Sequence, residues 1–456
     1  MPVARILLCL TTFLAVLQPV SALVEPEVEA WQEYVRQIEE AFPFQGAEIL
    51  PDAGQAVGQL ASDAVAAPLA ELMSELEMRR DLEFKYFTPW HVKDKVQLRA
   101  FIQQQIEKDY TPRKAMEEEA LLKVLGLVSL DFDVRAFIEE LLTDAVAGAY
   151  DPATDQFFLV DTEAGQGFRD RLHVKASRAV LGNMNPIIII HELDHALGGQ
   201  HFPLRSTFAE LMADTTLDQQ MAVMSLVEGD ATFVMIDHQK KRKAESAGSE
   251  TMIVGSDLLI DMVVNFPIPI PGAGKLNEAP LFFQKSLLFP YYGGAEFVST
   301  LRHYEADWRE VNAAYSSLPR STEEIFHPFR YLYIQQEPAY PDFTKLPTKF
   351  GDWQKVDDNT GGEFLVRIVL EQYGVEDYQE AAEGWNGDRI RVFRHQQTGA
   401  LGFYWVIRWD HPTEAEEFYN SLGSHLPFVV EQEEVATILS LAFDQKQLAQ
   451  LRKGWR

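Results

Sequence analysis

The sequence predicts an α+β fold, mostly helical, with a small α+β module at the C-terminal end. Three observations predict it. Apolar residues recur at helical spacing in Val96 to Lys108, Lys114 to Leu125 and Val134 to Ala149, and helices also fit Met221 to Met235, apolar nearly all round, and Phe282 to Ser316. Alternating, strand-like runs are sparse before residue 338, at Leu82 to Val92 and Gln156 to Val160. They are concentrated near the end, where Asp388 to His395 and Ala400 to Asp410 flank the turn Gln396-Gln397-Thr398-Gly399.

In chain order, residues 1–22 read as a secretory signal. Arg5 precedes an apolar run from Ile6 to Leu17, Pro19 breaks it, and Val20-Ser21-Ala22 offers small residues for cleavage after Ala22. The run is too short to span a membrane. Cys9, inside it, is the only cysteine, so the mature chain has neither disulfide nor thiolate chemistry. This points to a secreted or periplasmic location. Residues 23–80 form a helical N-terminal segment, with Trp31, Tyr34, Ile38 and Phe42 at helical spacing and a small-residue stretch from Ala53 to Ala70. Residues 81–337 form the main domain. Tyr150-Asp151-Pro152-Ala153-Thr154-Asp155 is turn chemistry before the strand Gln156 to Val160, and Phe266-Pro267-Ile268-Pro269-Ile270-Pro271-Gly272 is an extended connection. Pro338 to Gly351 is rich in turn residues, so 338–361 reads as a linker and 362–456 as the C-terminal module. Within the module Thr413-Glu414-Ala415-Glu416 is a capping box and Glu434 to Phe443 a strand. Arg389, Arg391, Arg394 and Arg408 on its strands read as solvent-facing partners for nearby acids.

The chemistry is concentrated in His191-Glu192-Leu193-Asp194-His195. Residues i and i+4 share a helix face, so His191 and His195 can bring two imidazoles to one metal ion. Glu192 falls beside it, where a carboxylate can take a proton from an activated water. Asn185 is a good N-cap, Pro186 suits a first turn, and Ile187 to Ile190 call for burial, although four β-branched residues also fit a short strand running into the helix. The bland alternative is a pair of core histidines.

Two residues compete to be the third ligand. His201 completes H-E-x-x-H-x-x-G-x-x-H if the chain turns sharply at Gly198-Gly199, but that pattern also needs a methionine in a tight turn, and Met212, Met221, Met224 and Met235 lie in helix-like sequence. Glu228 lies in Met221 to Met235, which is apolar almost all round, and a buried carboxylate there needs a counter-charge. Either a metal or a buried Arg or Lys supplies one. Gly229 would let the backbone approach the H-E-x-x-H helix. We take Glu228 as the ligand.

His191 to Phe202, H-E-L-D-H-A-L-G-G-Q-H-F, resembles the H-E-x-T-H-A-L-Q-D-Q-H-F stretch of a family of bacterial secreted or lipoprotein metallopeptidase-like proteins. Leu226 to Ala231 is similar to its L-V-E-G-D-A, Ala147 to Pro152 to its A-G-Y-Y-D-P, Leu288 to Tyr291 to its L-F-P-Y, and Ser321 to Pro328 to its S-T-E-Q-I-L-H-P. The resemblance spans roughly residues 80 to 410 as ordered motifs. It implies a zincin-like core and a gluzincin-type site with Zn2+ held by His191, His195 and Glu228. Two departures from the family stand out, Gly198-Gly199 for Gln-Asp and Asp194 for Thr; separately, Thr232 stands where thermolysin-like enzymes have an Asp. A zincin also places a strand before the motif helix, whose edge can take an extended peptide.

The expected function is thus an exported zinc metallopeptidase acting on peptide or protein substrates, with Glu192 as general base. The alternative is a zinc-binding, non-proteolytic envelope or assembly protein. His327 is a candidate catalytic donor to the oxyanion, as are Tyr291, Tyr292, Tyr331 and Tyr333; a structural histidine is the other reading of His327. Asp230 reads as a contact behind the ligands and His238 as an exposed helix-end residue. The net charge of −29 argues against nucleic acid and anionic membranes as partners, and no later run is long and apolar enough to span a bilayer.

Overall fold

The computed structural model describes residues 70–88, 90–145, 148–151, 156–161, 186–208, 215–247, 276, 278–305, 307–422 and 426–455. The signal-like residues 1–22, the stretch from Ala53 to residue 69 and the extended run Phe266 to Gly272 lie outside them. The fold is α+β and mostly helical, with an antiparallel sheet at the C-terminal end. No described helix is long and apolar enough to cross a membrane.

Helix α1 (70–80) buries Leu72, Met73 and Leu76 along one face and ends on buried Arg80. The boundary expected at residue 80 therefore does not separate two units, because α1 belongs to the main core. Strand β1 (Trp90–Asp94) follows, then helices α2 (Lys95–Asp109), α3 (Pro112–Val124) and α4 (Val134–Ala145). Thr111 caps α3 through the Lys114 N–H, with Pro112 in the first turn. The strand expected over Leu82 to Val92 is only its last part. The N–H groups of Phe84, Lys85 and Tyr86 are taken by the side chains of Glu77 and Gln200 instead of by a neighbouring strand.

Strands β2 (Gly148–Asp151) and β3 (Gln156–Asp161) complete a three-stranded sheet in the order β1-β3-β2. β3 runs parallel to β1 and antiparallel to β2, so the strand expected to offer an edge to a peptide is the central one. Among the described residues the edges belong to β1 and β2.

Helix α5 (Pro186–His201) carries the histidine motif, and the four isoleucines are helical, not a strand leading into a helix. Helix α6 (Leu217–Ala247) lies between α5 and α7 (Leu281–Glu305). Its length buries even the polar side chains Asp218, Glu228, Asp230 and His238. His238 is thus not at an exposed end, and its ring pairs with Glu75 of α1 at 3.0 Å. Short helices α8 (Arg309–Ala314) and α9 (Thr322–Phe326) lead to the C-terminal unit.

That unit begins earlier than the sequence suggests. Residues 338–361 are not a bare linker. They supply β4 (Lys349–Phe350) and β5 (Trp353–Asn359), which join β6 (Trp385–His395), β7 (Leu401–Trp409), β8 (Val429–Glu433) and β9 (Ala436–Leu441) in the order β4-β5-β6-β7-β9-β8. Phe343, Leu346, Phe350 and Trp353 anchor the stretch by packing with α12 (Gln445–Trp455) on one face of the sheet. Arg391 is not solvent-facing: its guanidinium is buried, paired with Asp358 and donating to the Phe343 and Leu346 carbonyls. The other face packs on α3, α10 (Gly362–Gln372) and α11 (Pro412–Leu422), and its Ile390, Trp405 and Leu439 belong to the same core as α5 and α6.

The junction between the two halves is polar and very tight. Asp388 of β6 accepts from the Gly361 and Gly362 N–H groups at 3.0 and 2.8 Å and from the Trp385 and Trp405 indoles, so it caps α10 from across the sheet. Gly362 has φ +72, and a Cβ there would meet Asp218 Oδ1 at 1.9 Å. That oxygen accepts from the Thr322 N–H at 2.7 Å and hydroxyl at 2.6 Å. Burial, reinforced by the charges of Asp388 and Glu363, pushes the Asp218 carboxyl up to about 8, although the Thr322 bonds pull the other way.

An unfolded aspartate titrates at about 3.9. The neutral folded carboxyl is therefore costless below about pH 4, and stability is lost as pH rises towards 8. The slope from this group is at most about 1.4 kcal/mol per pH unit. Asp218→Asn keeps the acceptor oxygen and removes the titration. Urea denaturation between pH 5 and 8 should show a shallower fall in stability for the variant; equal slopes would refute the assignment.

Candidate metal centre

His191 and His195 lie one turn apart on α5, and Glu228 faces them from α6. The ring Nε2 atoms are 3.1 Å apart, and Glu228 Oε2 lies 3.3 Å from the first and 3.4 Å from the second. All three side chains are essentially inaccessible. Among the described residues this is the group of three or more potential ligands whose donor atoms converge on a volume fit for a metal ion. The spacing also fits. Bonds of about 2.0–2.1 Å to a tetrahedral ion set donor atoms about 3.3 Å apart. Among the described residues neither Arg nor Lys pairs with Glu228, and its ion-pair partners there are the two histidines.

The electrostatics agree. Burial pushes His191 down to about 4, with the charge of His195 adding to it and the Glu228 hydrogen bond opposing it. Burial also disfavours charge on His195, but Glu228 outweighs it and raises the net value. For Glu228, burial is overcome by the same histidines, and its carboxyl is held below the usual range. The three groups are thus tightly coupled: the Glu228 carboxylate favours a proton on His195, and the histidines favour charge on Glu228.

The third wall is α7. A Cβ on Gly229 would meet the Gly294 backbone at 2.2 Å, and one on Gly294 would meet the Ser225 carbonyl oxygen at 2.0 Å. The two helices touch backbone to backbone, as only paired glycines permit. The close approach expected of Gly229 is therefore made to α7 and not to α5. One turn before Gly294, Tyr291 is buried, stacks on His191 with ring centroids 6.1 Å apart, and hydrogen-bonds Glu228. Burial first, and then the charges of Glu228 and Glu192, drive its phenol far above its ordinary range, so it stays a donor. Glu192 is fully buried close enough to influence both Tyr291 and His195.

Other candidates lie elsewhere. Helix α5 runs straight through Gly198-Gly199, so His201 is carried off the ligand face, where its Nε2 donates to the Glu83 carbonyl at 2.7 Å. His327 meets both Glu363 carboxylate oxygens at 3.1 Å, and Glu363 also pairs with Arg367. Tyr331 donates to the Ser317 carbonyl, and Tyr333 is exposed. Asp194 and Asp230, the acids next to the ligands, both turn to Arg80. Burial and the charge of Asp230 hold the Asp194 carboxyl well above the usual carboxylate range, against the pull of Arg80. The charge of Asp230 is felt at His195 and supplies the field that Thr232 cannot. Arg80 escaped the sequence reading because nothing local marks it. The signal was indirect: two acids beside buried ligands with no cation near them in sequence.

Glu228→Gln should lose most bound metal, and His201→Ala should keep it, as judged by elemental analysis of each purified variant. Gly294→Ala should destabilise the fold by at least about 1–3 kcal/mol, the usual range for overpacking, because the new methyl meets backbone that cannot yield. It should also lower metal content, since α7 and α6 must separate beside Glu228. Unchanged thermal stability in this variant would contradict the helix crossing.

A family model described as a domain of unknown function, DUF8575, matches residues 348–446. This covers β4 through the start of α12 and leaves α5 and α6, which carry the candidate ligands, outside. No curated protein and no solved structure matches the chain.

Proposed function

We propose that the protein is an exported, zinc-dependent peptidase with a zincin-like core. The observation that carries the reading is the convergence of two histidines and a glutamate on one buried point, with Glu192 and Tyr291 beside it. His191, His195 and Glu228 would hold the ion, leaving a fourth position open. Zinc would supply Lewis acidity there, making water a nucleophile near neutral pH and polarising a carbonyl. Export is supported by the leader-like pattern of residues 1–22.

The chain's own groups divide the remaining work. Glu192 takes a proton from the attacking water as its oxygen bonds to the peptide carbonyl carbon, then delivers that proton to the leaving nitrogen as the C–N bond breaks. Tyr291 keeps its proton and can donate to the oxygen on which negative charge develops. In the resting site that proton is given to Glu228, so the phenol would turn from the carboxylate to the oxyanion as charge develops. His327, paired with Glu363, has no part in this scheme.

A second reading is favoured by the complete burial of the triad and of Glu192. A metal here would tie α5 to α6 in a non-proteolytic envelope or assembly protein. Glu192 distinguishes the two, because a purely structural site does not need it. Glu192→Gln should keep zinc and the fold but abolish casein cleavage by the zinc-loaded protein. Cleavage by wild type and variant alike would remove Glu192 from the mechanism. Zinc retention with cleavage by neither would favour the structural reading.

A further inference from the structure

Arg80, at the end of α1, is buried to 1% exposure and pairs with acids that neighbour the candidate ligands in sequence. Its Nη2 donates to Asp230 Oδ2 at 2.7 Å and its Nη1 to Asn312 Oδ1 at 2.8 Å, while its Nε lies 3.6 Å from Asp194 Oδ1. Asp194 is the residue before ligand His195, and Asp230 is two residues after ligand Glu228. One guanidinium therefore spans the two helices at the level of their ligands. It is also confined. The Trp308 ring lies 4.2 Å from the guanidinium carbon and the Phe202 ring 6.0 Å, and Phe202 stacks flat on Tyr315 at 4.1 Å. The Tyr315 phenol donates to the same Asp230 oxygen at 2.9 Å.

Holding α1 in place does not require this arrangement. Leu72, Met73 and Leu76 already bury its apolar face, Arg79 pairs with Asp237 at 2.7 Å, and the Trp308 indole donates to the Arg79 carbonyl. Burying the Arg80–Asp230 ion pair beside a second carboxyl group costs several kcal/mol per ion before pairing offsets it. That cost is spent beside His195 and Glu228, where geometry matters most. The end of α5 works in the same direction. The Gln200 side chain accepts from the Lys85 N–H and donates to the Tyr86 carbonyl and Thr88 hydroxyl, and His201 donates to the Glu83 carbonyl. The chain leaving Arg80 is thereby tied back to α5.

We infer that Arg80 is the positioning residue of the metal centre: its planar fork sets the separation of α5 and α6, and so the distance between His195 and Glu228. A lysine cannot replace it fully, because a point charge lacks the fork that meets three acceptors at once. Conversely, an apolar residue would leave Asp194 and Asp230 buried without a cation. The inference rests on the metal-binding part of the proposed function and is independent of peptide hydrolysis.

The test uses the full chain with zinc, measured by competition with a chelator, and with cobalt, whose visible spectrum reports coordination geometry. Thermal unfolding of the metal-free forms is followed in parallel. Arg80→Lys, which keeps the charge, should still fold yet bind zinc about 10–100-fold more weakly, the usual effect of losing a partner that orients ligands. Its cobalt spectrum should shift from that of wild type. Arg80→Met should bind more weakly still, and Arg79→Met, on the same helix but paired away from the ligands, should match wild type in both readouts. Wild-type affinity and spectrum in Arg80→Lys would overturn the inference even if Arg80→Met failed to fold. Equal losses in Arg79→Met and Arg80→Lys would overturn it too, by showing that docking of α1 alone matters. Absence of metal binding in wild type would remove the centre itself, an outcome distinct from wild-type-like binding in the variants.

Discussion

A carboxylate in the middle of an apolar helix is the constraint on which this structure turns. Glu228 is about 1% exposed, and the helix around it contributes Met221, Met224, Val227 and Ala231 to the core. An ionised group there is very unfavourable unless positive charge meets it. The charge comes from α5, where His191 and His195 share one face. Helix α5 must therefore lie against α6 at one register, and the other neighbours of α6 must leave that register undisturbed. Helix α7 does so through Gly229 and Gly294, which put backbone against backbone with no side chain to lever the helices apart. The same crossing brings Tyr291 to the carboxylate one turn away.

Helix α6 is also the path by which the C-terminal sheet reaches the centre. At its first turn Asp218 accepts from Thr322 and lies against Gly362, whose N–H is held by Asp388 of the sheet. Ten residues later the same helix presents Glu228. The sheet is therefore no freely tethered module. Its Ile390, Trp405 and Leu439 lie in one core with Ile190, Leu193 and Val227. A rigid helix fixed at one end by hydrogen bonds and at its middle by glycine packing has little freedom to change its distance from α5. Such preorganisation is what a small cation demands of its ligands.

How much of this was legible in the sequence follows from how local each signal is. The helices over 95–145 announce themselves by period, the one over 217–247 by an all-round apolar stretch that calls for burial, and the spacing of His191 and His195 is itself a helix statement. Glu228 was legible because burial of a lone acid is improbable without a reason. Tyr291 was one of four tyrosines with equal claims, because its selection depends on a glycine contact between residues 65 apart in the chain. His327 sat in a suggestive motif, but the partner that explains it, Glu363, lies 36 residues on. The strands of 349–359 were hidden by the prolines and turn residues before them, while their anchors pack against α12 at the far end of the chain. Arg80 is the extreme case, with partners 114 and 150 residues away.

The buried acids share a logic that separates the metal centre from the rest. Asp388 faces two backbone N–H groups and two indoles, so its charge is met by fixed donors. Asp230 has Arg80, an always-charged partner held in an aromatic box. Asp218 avoids the cost by remaining neutral until about pH 8. Glu228 alone among these four is met by imidazole rings, whose positive charge, where present, rests on a removable proton. A fold that needed merely to satisfy this carboxylate had the solution used for Asp230 two residues away. Two imidazoles are a weaker answer to a permanent negative charge and a better one to a carboxylate that must share an ion. The chemical identity of the partners, more than the burial, is what sets this acid apart as a candidate ligand.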